Sequence, residues 1–352
     1  MADRTPRPKL VALATAVPPY RIDQQDVIDR APRLFPACGR GTVERLLPVY
    51  GNSGVATRYS CVPPDWYERP HGWAEKNRLY LVHAVALIAE AATACLAKAR
   101  LDASDIDAVV AVSTTGIATP SLDALAIDRL GLRPDVTRLP IFGLGCGGGV
   151  TGLARAATLA SAQPGSRVLF LVVELCGLTF RRADATKSNV VATALFGDGA
   201  AAAIVSTDGD GPAFGRAGEH TWPGSLDVMG WLVEDDGLGV RFSRDIPALA
   251  RTEFRDAAER FLARSGYGFA DIDTYVCHPG GAKVLDALEA AFGLAPGGLA
   301  DSRAVLRDFG NMSAATILFV LDRVLGAPAR GRHLLSALGP GFTATFLEMA
   351  VP

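Results

Sequence analysis

Residues 105–112 read Asp-Ile-Asp-Ala-Val-Val-Ala-Val, and residues 271–278 read Asp-Ile-Asp-Thr-Tyr-Val-Cys-His. In both segments Asp-Ile-Asp precedes a run of apolar and β-branched residues, which predicts a buried β-strand. An apolar helical pattern comes before each strand, over 77–101 in the first case and over 250–265 in the second. The same order of helix and strand therefore occurs twice, which indicates an internal duplication.

The two copies continue in parallel beyond these strands. A helix start follows 39 residues after Asp107, at Cys146, and a similar one follows 38 residues after Asp273, at Asn311. Each copy then ends in two further predicted strands, which cover 167–173 and 200–205 in the first copy and 333–338 and 343–349 in the second. The predicted helix that begins near Asn311 runs through 312–321.

Strands that alternate with helices predict an α/β fold with largely parallel sheets covered by helices on both faces. We expect two halves, residues 1–206 and residues 207–352, related by a pseudo-twofold axis with the functional site between them. The stretch 206–250 is rich in glycine, proline and acidic residues, and we expect it to bridge the halves. If so, the two equivalent helix starts face each other.

Composition narrows the classes of function. The 352 residues are 49% hydrophobic and 20% charged with a formal net charge of −2, so nothing favours nucleic-acid binding. No apolar run reaches the roughly 18 residues of a membrane span, and the polar N-terminal segment lacks the apolar core of a secretory signal. The cysteines show no paired Cys-x-x-Cys spacing, which argues against zinc and disulfides. We expect a cytoplasmic protein without a metal site or a membrane span.

Cys146 has surroundings unlike those of the other cysteines. It lies in Ile-Phe-Gly-Leu-Gly-Cys-Gly-Gly-Gly-Val, residues 141–150, where an apolar run gives way to glycines and then to a helical pattern. Backbone N–H groups and the dipole at a helix start favour a thiolate, and glycines let a substrate carbonyl approach the backbone. We therefore expect a lowered pKa for this thiol. The alternative is a buried cysteine in a tight strand-to-helix turn.

Two polar residues of the second copy can converge on Cys146. His278 ends a predicted strand before Pro-Gly-Gly, and Asn311 opens a predicted helix after Gly310. A cysteine activated by imidazole, with histidine and asparagine donors for a developing oxyanion, suits acyl chemistry. The same donors can stabilise an enolate formed by decarboxylation. The alternatives are a loop histidine and an ordinary helix N-cap.

Two carboxylates are assigned supporting roles. Asp198, in Phe-Gly-Asp-Gly, fits a turn that orders a loop, and we do not expect it to be catalytic. Glu174 follows an apolar strand and is interpreted as a helix-capping residue or as a member of a buried polar network.

Four segments together resemble the type III polyketide synthases, the chalcone and stilbene synthase family. They are Gly-Cys at 145–146, Ala-Leu-Phe-Gly-Asp-Gly-Ala-Ala at 194–201, His-Pro-Gly-Gly at 278–281 with Gly-Asn-Met-Ser-Ala at 310–314, and Gly-Pro-Gly-Phe-Thr at 339–343. Their order and spacing fit the family from about Lys9 to the C-terminus. The resemblance implies a thiolase-like αβαβα layered fold built from two duplicated halves, and an acyltransferase that acts on CoA thioesters without a further cofactor.

The resemblance also implies a role for each matching residue. Cys146 is implied to carry the starter acyl group and the growing polyketide. His278 keeps Cys146 as a thiolate and, with Asn311, promotes decarboxylation of malonyl-CoA. Phe196 resembles the gatekeeper between the CoA tunnel and the cavity. Thr119 falls where the family inserts a residue into the partner subunit, which implies a homodimer.

Further positions match the cavity and the CoA tunnel. The implied cavity-lining residues are Thr114, Thr115, Cys176, Thr179 and Val240, and the implied loop that shapes the cyclisation cavity is Gly339, Pro340 and Gly341. Arg45 is the implied CoA contact that is kept, and Lys283, five residues after His278, is expected to supply further positive charge for CoA. Gly280, in the loop after His278, is expected to bind substrate. Plant members usually carry phenylalanine at the position of Val240 and basic residues at those of Pro48 and Asn52.

We therefore expect repeated condensation of malonyl-CoA with an acyl-CoA starter held on Cys146. The product is expected to be an alkylpyrone, an alkylresorcinol or a similar small polyketide. One alternative is a ketoacyl-ACP synthase of the type that starts fatty acid synthesis, which performs a single condensation. Another is a non-catalytic protein of the same fold that binds acyl-CoA.

Overall fold

The computed structural model describes residues 6–36, 45–243 and 245–352. Its strands are β1 (Lys9–Ala16), β2 (Tyr20–Asp23), β3 (Thr57–Ser60), β4 (Ala108–Val112), β5 (Thr137–Ile141), β6 (Val168–Leu175), β7 (Asp198–Ser206), β8 (Ala213–Thr221), β9 (Met229–Glu234), β10 (Gly237–Phe242), β11 (Thr274–Cys277), β12 (Gly331–Gly339) and β13 (Thr343–Val351). Its α-helices are α1 (Gln24–Leu34), α2 (Pro48–Gly51), α3 (Trp73–Ala99), α4 (Leu122–Leu130), α5 (Gly148–Ala162), α6 (Lys187–Leu195), α7 (Ile246–Ala263), α8 (Ala282–Phe292), α9 (Ala300–Phe309) and α10 (Thr316–Leu325).

Nine strands of the described ranges form one mixed sheet in the order β11-β12-β13-β8-β1-β7-β6-β4-β5. Strand β4 pairs in parallel with β5 and β6, and β11 pairs in parallel with β12. The other neighbours in this sheet are antiparallel. The expectation of largely parallel sheets is therefore wrong. One reason is that a tight turn joins β12 to β13, and strands joined in this way can only pair antiparallel.

The two ends of the sheet form two separate layers, with β4 and β6 at one end and β12 and β13 at the other, and helices form three further layers around them. Helices α5 and α10 lie in the middle, packed between one face of β4 and β6 and one face of β12 and β13. Helices α3 and α4 cover the opposite face of β4 and β6. Helices α7 and α8 cover the opposite face of β12 and β13. Because β4 and β6 are covered on both faces, every residue in them is buried, as expected for continuous apolar runs. The αβαβα architecture is thus confirmed.

The two helix starts found in the sequence meet at the centre. A short 3-10 helix, Gly145–Gly147, precedes α5, and a second one, Ser313–Ala315, precedes α10. A Cβ atom at Gly149 would lie 2.2 Å from the Ala314 carbonyl oxygen, so only glycine permits this approach. Helix α10 begins at Thr316, later than the predicted start near residue 312, because the intervening residues form the 3-10 turn.

The stretch 206–250 is more than a bridge. It contains β8, β9, β10 and the first turn of α7. Strand β8 pairs with β13 along most of its length and meets β1 at the pair Lys9 and Ala213. The segment therefore connects the two halves along the chain and also contributes β8, the strand that lies between β1 and β13 in the sheet.

Helix α3 is long and apolar enough to cross a membrane, judged by length and composition alone, and half of its most apolar window is buried inside the structure. The helix packs against β1, β6 and β7 in the apolar layer that covers them. It is a core helix of the fold.

Candidate active site

The Cys146 side chain is buried at the junction of the two halves. It lies in the 3-10 turn Gly145–Gly147, directly before α5. Gly145 has φ +46°, and a Cβ atom there would lie 2.7 Å from the Pro340 ring. A Cβ atom at Gly339 would lie 2.7 Å from the Leu144 carbonyl oxygen. The loop that was predicted to shape the cyclisation cavity thus packs directly against the turn that holds Cys146.

His278 and Asn311 reach the same place from the second half. His278 follows β11, and its backbone N–H donates to the Ser336 carbonyl at 2.8 Å. The Asn311 Oδ1 atom accepts from the Ser313 backbone N–H at 2.8 Å, and its Nδ2 atom donates to the Gly280 carbonyl at 3.3 Å. Because Oδ1 already accepts the hydrogen bond from the Ser313 N–H, the amide orientation is fixed. Its N–H₂ group therefore faces the loop that follows His278.

Cys146, His278 and Asn311 line one cavity of about 340 Å³. Two exposed cations, Lys187 and Lys283, line it as well. The remaining lining is largely apolar and includes Val49, Val191, Leu195, Met229, Phe242, Ile246, Phe254, Val284, Leu288 and Leu338. A nucleophile, an imidazole and an amide donor thus share an apolar chamber with basic groups at its rim, which suits an anionic thioester with an apolar acyl group.

Burial sets the protonation of the thiol and the imidazole. It raises the pKa of Cys146 to about 12, although side-chain hydrogen bonds with Ser313 and Asn311 act in the opposite direction. It lowers the pKa of His278 to about 3. Neither ring nitrogen of His278 has a hydrogen-bond partner among the described residues. The expected low pKa of Cys146 is therefore wrong for this structure, because loss of hydration outweighs the helix start.

A neutral thiol beside a neutral imidazole still supports nucleophilic attack. The ring nitrogens of His278 are not engaged by the protein, so one of them can accept the Cys146 proton as the sulfur attacks. The other ring nitrogen then carries an N–H that can donate to substrate oxygen.

Thr114 and Thr115 support the site from behind instead of lining the cavity. The Glu174 Oε2 atom accepts hydrogen bonds from the Thr114 backbone N–H at 3.0 Å and from the Thr115 hydroxyl at 2.8 Å. The Thr114 hydroxyl in turn accepts from the Gly145 backbone N–H at 3.1 Å. Glu174 is thus a member of a buried polar network, as one of the two sequence interpretations held.

Burial raises the pKa of Glu174 to about 7. Because this pKa is higher in the folded than in the unfolded chain, the protonated carboxyl favours the folded state. The stability it contributes is lost as pH rises from about 4.5 to about 7 and the carboxyl ionises in the folded state. We expect Glu174→Gln to remove about 3 kcal/mol of pH dependence from the free energy of unfolding across that range. Urea unfolding at several pH values measures it. An equal slope in the parent and the variant would contradict the prediction.

Ser313 is a site residue that the sequence did not single out. Its hydroxyl lies close enough to Cys146 and Glu174 to lower the pKa of both groups, against the larger effect of burial. It adopts φ +47°, a left-handed conformation that residues other than glycine rarely occupy. Such strain often occurs at functional sites. The sequence signal was its place in the Gly-Asn-Met-Ser-Ala segment, but nothing there showed that its hydroxyl faces Cys146.

Phe196 and Phe242 form an aromatic pair at the cavity, which Phe242 lines and Phe196 does not. Their ring centroids lie 5.9 Å apart in an edge-to-face arrangement, and Trp231 lies 6.2 Å from Phe196 on another side. Phe242 lines the cavity that contains Cys146, whereas Val240 does not. Val240 packs on the small cluster formed by Cys176, Ala192 and Phe196. The aromatic partner of Phe196 therefore lies two residues beyond the predicted position.

The remaining predicted residues divide into two groups. Gly280 and Lys283 line the cavity, as do Pro48 and Asn52, but Arg45 is exposed and is not among the lining residues. Cys176 and Thr179 are buried in a short 3-10 helix, where the Thr179 hydroxyl donates to the Cys176 carbonyl at 2.7 Å. Neither lines this cavity. Thr119 is exposed. Its insertion into a partner subunit and the role of Gly341 in cyclisation remain predictions.

Asp198 orders the backbone, as the sequence indicated. Its carboxylate accepts from the Gly177 backbone N–H at 2.7 Å and from the Cys61 backbone N–H at 2.9 Å. It therefore ties the segment after β3 to the 3-10 helix that carries Cys176. It is fully buried.

Two family models match almost the whole chain. The N-terminal domain of chalcone and stilbene synthases matches residues 4–209, and the C-terminal domain matches residues 216–349. A 1,3,6,8-tetrahydroxynaphthalene synthase from Streptomyces peucetius subsp. caesius is 39% identical over 350 residues, covering 96% of this chain and 92% of that protein. An alpha-pyrone synthesis polyketide synthase-like protein from Mycobacterium tuberculosis is 29% identical, covering 94% of this chain and 88% of that protein.

Solved structures of the same kind superpose closely. The 1,3,6,8-tetrahydroxynaphthalene synthase of Streptomyces coelicolor A3(2), described as a bacterial type III polyketide synthase, matches with a TM-score of 0.92 and 28% identity over 97% of this chain and 99% of that one. A protein named PKS-I from the brown alga Ectocarpus siliculosus matches with a TM-score of 0.91 and 26% identity over the full length of both chains. The chain therefore belongs to the chalcone and stilbene synthase family, the type III polyketide synthases, and is an acyl-transferring condensing enzyme.

Proposed function

We propose that the enzyme extends an acyl group on Cys146 by repeated decarboxylative condensation with malonyl-CoA. The supporting observation is the single cavity lined by Cys146, His278 and Asn311, with lysines at its rim. The substrates are acyl-CoA and malonyl-CoA, and the reaction needs no metal or further cofactor. The Gly-Pro-Gly-Phe-Thr loop, packed against the Cys146 turn, favours this function over a single condensation on carrier protein.

Loading of the starter begins at the Cys146 sulfur. The sulfur attacks the thioester carbonyl while a ring nitrogen of His278 takes the thiol proton. The tetrahedral intermediate collapses, the bond to the CoA sulfur breaks, and His278 returns the proton to the departing CoA thiolate. Cys146 then carries the acyl group as a thioester.

Extension begins with loss of carbon dioxide from malonyl-CoA. The electron pair of the broken carbon–carbon bond moves into an enolate of the thioester, and N–H groups of Asn311 and His278 donate to its oxygen. The enolate carbon attacks the acyl group on Cys146, and the Cys146 sulfur leaves. The product is a β-ketoacyl-CoA that is longer by two carbons, and it can return to Cys146 for another cycle.

We further propose an aliphatic acyl-CoA starter and an alkylpyrone or alkylresorcinol product. The apolar walls formed by Met229, Phe254, Leu288 and Leu338 give an alkyl chain a place to be buried. Each buried methylene contributes roughly 0.8 kcal/mol. The relatives named above are a tetrahydroxynaphthalene synthase and an alpha-pyrone synthesis protein, so starter and product require direct measurement.

Phe242→Ala is expected to shift starter preference from hexanoyl-CoA toward lauroyl-CoA by about tenfold, the effect of burying about two more methylenes. The reason is that Phe242 lines the cavity and contacts Phe196. Competition between the two starters with malonyl-CoA, followed by mass spectrometry of the products, measures it. Val240→Phe is the matched comparison, since Val240 shares the strand but not the cavity.

The same assay tests the proposed function itself. Products with two or more extensions, formed without carrier protein, support a polyketide synthase, whereas a strict requirement for carrier protein supports the ketoacyl-ACP synthase alternative. An unchanged chain-length preference in Phe242→Ala contradicts the role given to this residue. If the parent turns over malonyl-CoA alone and no aliphatic starter, the proposed starter class is wrong.

We also propose a homodimer in the cytoplasm. Thr119 is exposed, and so are the apolar residues Ile117, two residues before it and 48% exposed, and Phe142, 60% exposed. Both apolar side chains are available for a subunit contact. Sedimentation equilibrium decides the point, because a monomeric mass at micromolar concentration would contradict it.

A further inference from the structure

A buried arginine holds the end of the helix that leads to Phe196. Arg58 lies on β3 and is 5% exposed. Its guanidinium donates to the carbonyl oxygens of Thr193 at 2.5 Å, Ala194 at 3.0 Å and Phe196 at 3.1 Å. These are the last carbonyls of α6 and of the residue after it, which have no helical partners of their own. A cation at this end also complements the helix dipole.

Gln24 forms a second layer of the same network. Its Nε2 atom donates to the carbonyl oxygens of Ala194 at 3.0 Å and Tyr50 at 3.1 Å, and to the Ser53 hydroxyl at 2.9 Å. Its Oε1 atom accepts a hydrogen bond from Arg58. The orientation of the arginine is thus fixed by a side chain that binds the same helix end.

The end of α6 is bonded directly to Asn311. The Asn311 backbone N–H donates to the Leu195 carbonyl at 2.7 Å, and the Gly197 N–H donates to the Asn311 carbonyl at 3.0 Å. Phe196 and Asn311 therefore form a parallel β-bridge. The contact leaves no free space, because a Cβ atom at Gly310 would lie 2.7 Å from the Leu195 carbonyl oxygen. A shift of residues 195–197 must therefore move Asn311.

We propose that Arg58 is a positioning residue for the decarboxylation of malonyl-CoA. It bonds the carbonyls at the end of α6 and thereby holds residues 195–197 against Asn311, so that the Asn311 amide faces the substrate oxygen. This inference rests on the proposed function, in which Asn311 stabilises the enolate. Arg58 does not line the cavity that contains Cys146, so it acts through Asn311. Displacement of a catalytic group by about 1 Å can cost about 100-fold in rate.

The test compares decarboxylation of malonyl-CoA with acyl loading of Cys146 in single and double variants. Arg58→Met is expected to slow decarboxylation by about tenfold to 100-fold and to slow loading much less. Arg58→Lys keeps the charge but offers a point donor instead of a planar fork, so its effect is expected to be intermediate. Arg58→Met added to Asn311→Ala is expected to cause no further loss of decarboxylation, since residues that act as one unit are not additive.

Controls separate positioning from general damage. Arg133→Met removes a guanidinium that bonds Asp107 and Asp135 on the surface, and it is expected to leave the ratio of the two rates unchanged. Circular dichroism checks folding. If Arg58→Met fails to fold, Arg58→Lys and Gln24→Met decide the question, because Gln24→Met removes one of the bonds to the Ala194 carbonyl and the acceptor that orients Arg58, and it is expected to lower decarboxylation selectively.

Two results would overturn the inference. One is an equal loss of loading and decarboxylation in folded Arg58 variants. The other is a full additional loss when Arg58→Met is combined with Asn311→Ala. The parent enzyme is assayed first: absence of malonyl-CoA decarboxylation in the parent overturns the proposed function, whereas normal decarboxylation in Arg58→Met overturns only the positioning role.

Discussion

His278→Ala is expected to slow the acylation of Cys146 at pH 7 by about 100-fold to 10,000-fold. Burial raises the pKa of Cys146 to about 12, so the thiol holds its proton until a base removes it. His278 lines the same cavity, and neither of its ring nitrogens is bonded to the part of the chain that the structure describes. Its removal takes away the base that the proposed mechanism uses.

The pH dependence of Cys146 loading tests whether His278 acts as a base. Without His278, only the thiolate fraction of Cys146 reacts. Because that fraction rises with pH below the pKa, loading by the variant is expected to increase about tenfold per pH unit from pH 7 to pH 10. The parent is expected to depend less on pH, so the deficit should shrink as pH rises.

Rapid quench with an acyl-CoA, followed by peptide mass mapping, measures loading and locates the adduct. The matched control is His83→Ala, which removes a histidine of α3 and is expected to load normally. A loss that stays constant with pH would contradict the role of His278 as base. An adduct on Cys176 or Cys277, with Cys146 unmodified, would contradict the assignment of the nucleophile.

Asn311→Ala is expected to slow malonyl-CoA decarboxylation by about 100-fold or more, with a smaller effect on loading. The reason is geometric. The Asn311 Oδ1 atom is occupied by the Ser313 N–H, so Nδ2 is the atom that faces the loop after His278 and the cavity. The enolate oxygen carries a full negative charge only after carbon dioxide leaves, so the donor stabilises that step selectively.

Release of carbon dioxide from labelled malonyl-CoA, measured beside Cys146 loading, tests this prediction. Asn311→Asp is the matched variant because it keeps the shape of the side chain and replaces the N–H₂ donor by an oxygen. It is expected to be as impaired as Asn311→Ala. Retained decarboxylation in Asn311→Asp, or a loss of loading as large as the loss of decarboxylation, would show that Asn311 does not act as a donor to the enolate.

The overall architecture could be predicted because its determinants are local and repeated. Continuous apolar runs at β4 and β6 require a sheet covered on both faces, and the glycines in the first turn of α5 mark a close contact with Ala314. The repeated spacing brought Cys146 and Asn311 to equivalent helix starts. Strand direction was predicted less well, because pairing across the sheet depends on long-range packing, which periodicity does not report.

The residue types at the site were also available from the sequence, but their protonation and several of their contacts were not. The amount of hydration that Cys146 loses depends on every layer around it, and this loss reversed the expected direction of its pKa shift. Phe242, and not Val240, lines the cavity. Residues that lie two apart in a strand share a face, so alternation along β10 does not distinguish them, and only the folded position of the strand does.

The amino-acid sequence by itself determined the duplicated layered fold, the family and the three residues Cys146, His278 and Asn311, since each follows from local patterns and their spacing. Only the tertiary structure decided that Thr114 and Thr115 bond Glu174, that Ser313 faces Cys146, and that Arg58 holds the helix end bonded to Asn311. These contacts join residues from distant parts of the chain. A hydrogen bond between them depends on positions that the fold fixes to within a few tenths of an ångström, and no one-dimensional pattern encodes that distance.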